Sequence, residues 1–242
     1  MIELINGDCL EVMKEIESGS IDAIITDPPY GTTACKWDSV IDFELMWIEL
    51  KRIIKPKGAV ILFGSEPFSS ALRMSNIKGY KYDWIWNKRI GSNFASASRM
   101  PLKVTETISV FEGGNYYPLK TKGKMRKKGG GKQFVAVYGD KQKDKVTESY
   151  CSDEYHPTNI IEIGNAKRKG KLHPTQKPVE LMEYLIKTYT NENETVLDFT
   201  MGSGSTLVAC QNTNRNGIGI EQDENYFKIA QQRVKENEYK LF

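Results

Sequence analysis

Short apolar runs alternate with helix-like stretches along most of the chain, and several of these runs end directly in aspartate, glycine or proline. The strand-like runs cover residues 2–5, 23–26, 59–64, 82–86, 107–111, 195–199 and 218–221. Apolar residues at helical spacing follow several runs, over residues 9–17 and 43–54, after Pro178, and through Tyr226, Ala230 and Val234. This alternation predicts an α/β fold with a mainly parallel sheet.

The alternation stops after Phe111 and resumes only near residue 172. The intervening stretch is polar, contains one glycine pair and one glycine triplet, and shows no strong strand or helix period. A chain of 242 residues can hold one full hydrophobic core and a substantial insertion. We therefore predict one domain made of residues 1–111 and 172–242, interrupted by an insertion at residues 112–171.

Positive charge is concentrated in this insertion. Ten lysines and arginines but only two aspartates lie in residues 120–145, a formal charge of +8 in a chain whose net charge is +3. The rest of the chain therefore carries −5. Such a segment is typical of a surface that neutralises a polyanion, although a solvated lysine-rich loop has the same composition.

Other compositional features exclude several classes of protein. No apolar run is long enough to span a bilayer, and the N-terminus lacks the basic start and apolar stretch of a signal peptide. The four cysteines are scattered and only two histidines are present, which argues against a disulfide framework or a metal site. These features predict a cytoplasmic protein with reduced thiols, no metal and no membrane partner.

A glycine-rich turn follows the strand-like run 195–199. Asp198, Gly202 and Gly204 lie where that run ends, and Glu221 closes the next one. In parallel sheets such a turn binds nucleotide-like ligands, and an acidic residue at the next strand can bind ribose hydroxyls. The pattern is compatible with NAD, ATP or S-adenosylmethionine. No lysine follows the glycines, which excludes a P-loop, and Leu207 replaces the third glycine of a dinucleotide fingerprint.

The tetrapeptide Asp27-Pro28-Pro29-Tyr30 follows a buried-looking strand. Two prolines hold a stiff extended turn in which neither residue has a backbone N–H to donate. The aspartate and the backbone carbonyls are hydrogen-bond acceptors, and the tyrosine ring offers a stacking face. An exocyclic amino group on a planar base requires these partners. The same four residues could instead end a strand, with the aspartate as a cap and the tyrosine in the core.

Three segments together resemble the beta class of DNA amino-methyltransferases. The tetrapeptide at residues 27–30 resembles their catalytic motif, residues 198–204 resemble their cofactor loop, and residues 173–178 resemble the segment before that loop. The resemblance covers nearly the whole chain outside residues 112–171. It implies a Rossmann-like methyltransferase fold with a circularly permuted, mainly parallel sheet. One departure is Asp198-Phe199-Thr200, where the family often has Asp-Pro-Phe, and we expect altered packing rather than lost binding.

The resemblance also implies residue roles. Asp27, Pro28, Pro29 and Tyr30 would form the catalytic site, and S-adenosylmethionine would donate the methyl group without a metal. Glu221 would bind the cofactor ribose, Asp8 its adenine, and Thr175 and Lys177 its carboxylate. The full set of expected cofactor-binding residues is Asp8, Cys9, Thr175, Lys177, Asp198, Phe199, Gly202, Ser203, Gly204, Ser205, Thr206 and Glu221.

The implied substrate is double-stranded DNA, methylated at adenine N6 of a flipped-out base. The insertion would be the target-recognition region, with DNA contacts expected from Lys122, Lys124, Arg126, Lys127 and Lys128. The resemblance leaves open a cognate restriction endonuclease and a homodimer. The alternatives are methylation of cytosine N4, an RNA or protein methyltransferase, a non-catalytic DNA-binding module and a nicotinamide-dependent oxidoreductase.

Overall fold

A computed structural model describes residues 1–32, 38–129, 148–165, 172 and 175–239. The strands are β1 (Ile2–Asn6), β2 (Ile21–Thr26), β3 (Ile54–Gly64), β4 (Tyr80–Ser92), β5 (Lys103–Glu112), β6 (Thr121–Lys128), β7 (Tyr150–Tyr155), β8 (Ile160–Glu162), β9 (Thr195–Asp198) and β10 (Asn216–Glu221). The helices are α1 (Cys9–Glu15), α2 (Phe43–Ile53), α3 (Phe68–Ser75), α4 (Val179–Tyr189), α5 (Ser205–Asn212) and α6 (Glu224–Glu238). A short 3₁₀ turn covers Phe94–Ser96.

The described residues form two compact units. The main unit comprises Met1–Tyr117 and Asn159–Phe242, and the small unit comprises Pro118–Thr158. The small unit lies within the range that we expected to be inserted. The expected range 112–171 also includes β8, which pairs with β4 in the sheet of the main unit.

The main unit contains an eight-stranded sheet in the order β1-β10-β9-β2-β3-β5-β4-β8. The pairs from β1 through β3 are parallel, β5 is antiparallel to both of its neighbours, and β8 is parallel to β4. β9 lies between β10 and β2, with Val196 opposite Ala23. The predicted Rossmann-like, mainly parallel and permuted fold is confirmed, since a strand late in the chain lies at the centre beside an early one.

Both faces of the sheet are buried against helices. Ala23 and Ile25 of β2 belong to a core cluster with Leu185 of α4, whereas Ile24 between them belongs to a second cluster with Leu50 of α2. Successive strand residues point to opposite faces, so this alternation follows from the pleat. Strands covered on both sides have continuous apolar sequences, which explains why the central strands could be predicted from the sequence.

Four elements were missed in the sequence. α3 was not predicted, and neither were β6, β7 and β8, which lie in the range 112–171 where the sequence shows no strong period. β6 and β7 form a two-stranded antiparallel sheet in which Lys122 is opposite Glu154 and Lys128 is opposite Tyr150. Residues 121–127 are exposed throughout, so no buried face produces an apolar alternation.

Within the described residues, no helix is long and apolar enough to cross a membrane.

Two leucines of α2 provide a matched test of the core. Leu50 is 0% exposed and Leu45 is 52% exposed on the same helix. We expect Leu50→Ala to lower the free energy of unfolding by about 2–5 kcal/mol, because it leaves a cavity in a closely packed core. Leu45→Ala should change it by less than about 0.5 kcal/mol. Urea denaturation measures both, and equal losses would contradict the assigned orientation of α2.

Candidate active site

The carboxyl ends of the central strands surround a cavity of about 410 Å³. Parallel α/β sheets bind ligands at this edge, where the connections diverge to either side. The four expected catalytic residues line the cavity. All expected cofactor residues except Gly204 line it as well: Asp8, Cys9, Thr175, Lys177, Asp198, Phe199, Gly202, Ser203, Ser205, Thr206 and Glu221. The structure thus brings together residues that are up to 213 positions apart in the sequence.

The tetrapeptide that we expect to be catalytic, residues 27–30, follows β2 directly. The Tyr30 hydroxyl donates a hydrogen bond to Asp27 Oδ1 at 2.5 Å, and the Tyr30 ring lies 4.9 Å from the ring of Phe68. Burial raises the pKa of the Asp27 carboxyl, while the nearby Lys177 ammonium opposes that shift. Burial and the charge of Asp27 raise the pKa of Tyr30 well above its ordinary value, so the hydroxyl stays a donor.

Lys177 is a buried ammonium between two carboxylates. Its Nζ donates a hydrogen bond to Asp27 Oδ2, lies 3.6 Å from Glu106 Oε2 and lies 5.0 Å from the centre of the Phe63 ring. Burial disfavours its charge, but Asp27 and Glu106 outweigh burial and raise the pKa of Lys177. We expected this side chain to approach the cofactor carboxylate, and the structure places its ammonium against Asp27.

Glu106 and Lys88 were not predicted as site residues. Lys88 lies on β4 and Glu106 on the neighbouring β5, with Lys88 Nζ and Glu106 Oε1 2.9 Å apart. Burial opposes ionisation of Glu106, but the charges of Lys177 and Lys88 outweigh it and lower the pKa of Glu106. In the sequence they are only two opposite charges just outside the strand-like runs 82–86 and 107–111, and their pairing depends on the register of the strands.

Asp38 is a second residue that no sequence pattern predicted. It lies eight positions after Tyr30, is 9% exposed and lines the cavity. Its carboxylate accepts hydrogen bonds from the backbone N–H groups of Tyr30, Gly31 and Thr32 at 2.8–2.9 Å. Three charge-assisted bonds to consecutive backbone groups fix the path of the chain immediately after Pro28 and Pro29.

Asp198 and Thr200 connect the expected cofactor loop to the end of β2. The hydroxyls of Thr26 and Thr206 both donate to Asp198, and the Thr200 hydroxyl donates to the backbone carbonyl of Asp27 at 3.1 Å. Burial raises the pKa of Asp198 to about 6, although the two hydroxyls oppose that shift. Residues 198–200 are where the sequence departs from the common Asp-Pro-Phe of the family. Here Phe199 is buried in the core, and Thr200 forms the hydrogen bond to the Asp27 carbonyl.

The glycine-rich turn is held by the acidic residue at the end of β10. Glu221 accepts hydrogen bonds from the backbone N–H groups of Gly202 and Asp223, both at 2.9 Å. Burial raises the pKa of Glu221. Gly202 and Gly204 have φ values of 52° and 74°, a left-handed backbone that favours glycine. At Gly204, a Cβ would also lie 3.2 Å from the Cβ of Ala230.

The lining fits the cofactor that the sequence predicts. Glu221 retains free lone pairs for hydroxyl donors, since each carboxylate oxygen can accept two hydrogen bonds. Asp8 caps α1 by accepting from the N–H of Leu10 at 2.8 Å, beside Cys9 and the apolar Leu10 side chain. A mostly apolar cavity of a few hundred Å³ with a few convergent polar groups is typical of small-ligand sites. No three His, Cys, Asp or Glu residues in the described part of the chain are grouped to hold a metal.

The expected DNA-contacting residues lie on β6 of the small unit. Lys122, Lys124, Arg126 and Lys127 are exposed. The Lys128 ammonium contacts the Glu154 carbonyl and lies 4.1 Å from the centre of the Tyr155 ring, while Arg126 lies 5.7 Å from the same ring. The rest of the basic segment, residues 130–147, and the motif residues His173 and Pro174 lie outside the described residues.

Thr206→Val tests the electrostatics of Asp198. Loss of the Thr206 hydroxyl should raise the pKa of Asp198 above about 6, because this hydrogen bond favours the ionised carboxyl. The pKa of Asp198 is higher in the folded protein than in the unfolded chain. Protonated Asp198 therefore favours the folded state, and the free energy of unfolding falls as pH rises through about 6. Carbon-13 NMR of the carboxyl group measures the titration.

The matched control is Thr188→Val. Thr188 is equally buried, but its hydroxyl donates to the carbonyl of Tyr184 within α4. This control should leave the Asp198 titration unchanged. An unchanged midpoint in Thr206→Val would contradict the assigned hydrogen bond.

Comparison with known proteins places the chain in a family. The DNA methylase family model matches residues 21–232. The type II methyltransferase M.HpaI of Haemophilus parainfluenzae is 30% identical over 254 aligned residues, covering 96% of this chain and 73% of that protein. The solved M1.HpyAVI–SAM complex is 28% identical with a TM-score of 0.65, covering 97% of this chain and 99% of the other. The PvuII DNA methyltransferase, described as cytosine-N4-specific, is 15% identical with a TM-score of 0.66, covering 99% and 92%, and so shares the fold.

These matches confirm the family that the three motifs predicted, and the predicted cofactor agrees with the M1.HpyAVI complex. The matched range begins at β2, which leads into the catalytic tetrapeptide, and ends within α6. It therefore includes both the catalytic and the cofactor motifs. The chain belongs to the N6/N4 DNA methylase family.

Proposed function

We propose that this chain transfers a methyl group from S-adenosylmethionine to the N6 amino group of adenine in double-stranded DNA. The single observation that carries the proposal is the partly buried Asp27 carboxylate, which lies with Tyr30 in the same cavity as the glycine-rich turn. A cavity that holds an amino-group acceptor beside a nucleotide-type site suits methyl transfer between two bound molecules.

In this proposal the cofactor occupies the side of the cavity formed by the ends of β1, β9 and β10. Glu221 accepts hydrogen bonds from ribose hydroxyls, Asp8 and Cys9 lie beside the adenine, and Thr175 is near the carboxylate. The Gly202 backbone permits close approach because that residue has no Cβ. When bound, the cofactor supplies an electrophilic methyl group on a sulfonium. We assign Lys177 to the target side, because its ammonium contacts Asp27.

On the target side, Asp27 and the backbone carbonyl of Pro28 accept hydrogen bonds from the exocyclic amino group. An aryl amine is a poor nucleophile because its lone pair is delocalised into the ring. Acceptors that favour a tetrahedral nitrogen localise that pair and stabilise the positive charge that develops during transfer. The base must leave the duplex to reach the cavity, and stacking on Tyr30 returns roughly 1–3 kcal/mol of the cost of flipping.

We further propose that β6 of the small unit contacts DNA. Exposed lysines on a strand give a sequence-independent attraction to phosphates, whereas base selection requires contacts to groove edges. The target-recognition role of residues 112–171, a companion restriction endonuclease and a homodimer remain predictions.

Adenine is proposed over cytosine because the family resemblance associates a leading aspartate with adenine and a leading serine with cytosine. Asp27 occupies that leading position. The chemistry at either amino group is alike, so the product must be identified directly.

The direct experiment is methyl transfer from labelled S-adenosylmethionine to unmethylated bacterial DNA, followed by nucleoside mass spectrometry. We expect N6-methyladenine from the native chain. Asp27→Ala should lower the rate by about 10²–10³-fold or more, because it removes a preorganised acceptor from a buried site. Asp83→Ala is the matched control, since Asp83 pairs with Arg73 and Ser109 and does not line the cavity.

The outcomes separate the alternatives. N4-methylcytosine would keep the mechanism and correct the base. Cofactor binding without a DNA product would favour an RNA or protein substrate, or a DNA-binding module without activity. Absence of cofactor binding in a folded protein would contradict the proposal as a whole.

The salt dependence of DNA binding tests β6. Each lysine that neutralises a phosphate contributes about −0.9 to the slope of log K against log salt concentration. Lys122→Gln with Lys124→Gln should therefore make the slope less negative by about 1.8. Lys228→Gln on α6, an exposed lysine paired with Glu224, should leave it unchanged. Equal slopes for all three proteins would contradict a role of β6 in phosphate contact.

A further inference from the structure

Both carboxylate oxygens of Asp27 already accept hydrogen bonds from the protein. Oδ1 accepts from the Tyr30 hydroxyl at 2.5 Å, and Oδ2 accepts from the Lys177 ammonium. A target amino group needs an acceptor with a well-placed lone pair, and a lysine ammonium is a competing, charged donor. Each oxygen has a second lone pair, but a target amino group would share Asp27 with two other donors, one of them charged. Departure of the ammonium from Oδ2 would leave that oxygen to the target amino group.

A second acceptor for Lys177 lies next to it. Glu106 Oε2 is buried and has no hydrogen-bond partner among the described residues, and it is 3.6 Å from Lys177 Nζ. The other oxygen of this carboxylate, Oε1, accepts from Lys88 at 2.9 Å. Buried polar atoms are nearly always paired, so an unpaired carboxylate oxygen beside an ammonium needs an explanation.

We propose that the Lys177 ammonium moves from Asp27 Oδ2 to Glu106 Oε2 when the target base enters, which frees Asp27 to accept from the amino group. This inference rests on the proposed function. Glu106 is then a positioning residue that acts through Lys177, and Lys88 holds Glu106 in place. The lysine keeps its proton throughout, so the step breaks and forms hydrogen bonds only.

The charges of the cluster support this movement. Asp27 and Glu106 are balanced by Lys88 and Lys177, so the cluster stays neutral while the ammonium changes partner. The transferred methyl leaves positive charge on the target nitrogen, which a lysine on Asp27 would repel. Moving that lysine toward Glu106 places the carboxylate of Asp27 nearest to the developing charge.

Other titratable groups surround both carboxylates. Those that affect Asp27 are Glu106, Lys177 and Tyr30, and Asp27 in turn affects Asp198. Those that affect Glu106 are Lys177, Lys88 and Lys103. The charge of Glu106 raises the pKa of Asp27, while that of Lys177 lowers it. Removal of the Glu106 charge should therefore let Asp27 ionise at lower pH.

The test is single-turnover methyl transfer by Glu106→Gln on DNA that the native chain methylates, measured across pH. The amide keeps the shape of the side chain but is a weaker acceptor for an ammonium. We expect unchanged affinity for S-adenosylmethionine, a 10–100-fold lower transfer rate, and an acid limb displaced to lower pH. Asp83→Asn, a carboxylate variant on β4 outside the cavity, should match the native protein in all three measurements.

A second measurement addresses the geometry directly. A crystal structure of the native chain with S-adenosylhomocysteine and a target duplex should show Lys177 hydrogen-bonded to Glu106 and Asp27 accepting from the target amino group. Lys177 still on Asp27 in that complex would overturn the inference. So would native rates in Glu106→Gln, a rate loss with an unmoved acid limb, or a loss of cofactor affinity. A native chain without DNA methyltransferase activity would instead overturn the proposed function, and the inference with it.

Discussion

The parallel pairing of β2 with β9 is the contact on which the active site depends. Ala23 lies opposite Val196 across this pair, so the two strands end side by side although they are far apart in the chain. Hydrogen bonds reinforce the junction beyond the ladder, since the Thr26 hydroxyl donates to Asp198 and the Thr200 hydroxyl donates to the Asp27 carbonyl. The expected catalytic and cofactor motifs therefore lie at one edge of the sheet in a fixed relative position, as transfer between two bound molecules requires.

Buried charge is the second constraint. Asp27, Glu106 and Asp198 are carboxylates in or beside one cavity, and burial opposes the ionisation of each. Lys177 and Lys88 compensate the first two, whereas threonine hydroxyls compensate Asp198. Burial still raises the pKa values of Asp27 and Asp198, whereas the charges of Lys177 and Lys88 lower the pKa of Glu106.

Much of the fold was predictable because the central strands are buried on both faces. Their apolar runs, and the glycines and prolines that end them, are local features that appear directly in the sequence. α3 was missed, and so were β6 and β7, which form a separate two-stranded sheet. The exposed residues of β6 carry no apolar alternation, and the three residues of β8 are too few to establish a period.

The sequence by itself determined the α/β class, the proline-rich turn at residues 27–30 and the glycine-rich turn, because each depends on the backbone preferences of neighbouring residues. Only the tertiary structure decided which charges meet. Lys88 and Glu106 are paired because β4 and β5 are antiparallel neighbours, and Lys177 reaches Asp27 from a segment 150 residues away. Electrostatic partners are set by distance in space, and strand register, which no local pattern specifies, sets that distance.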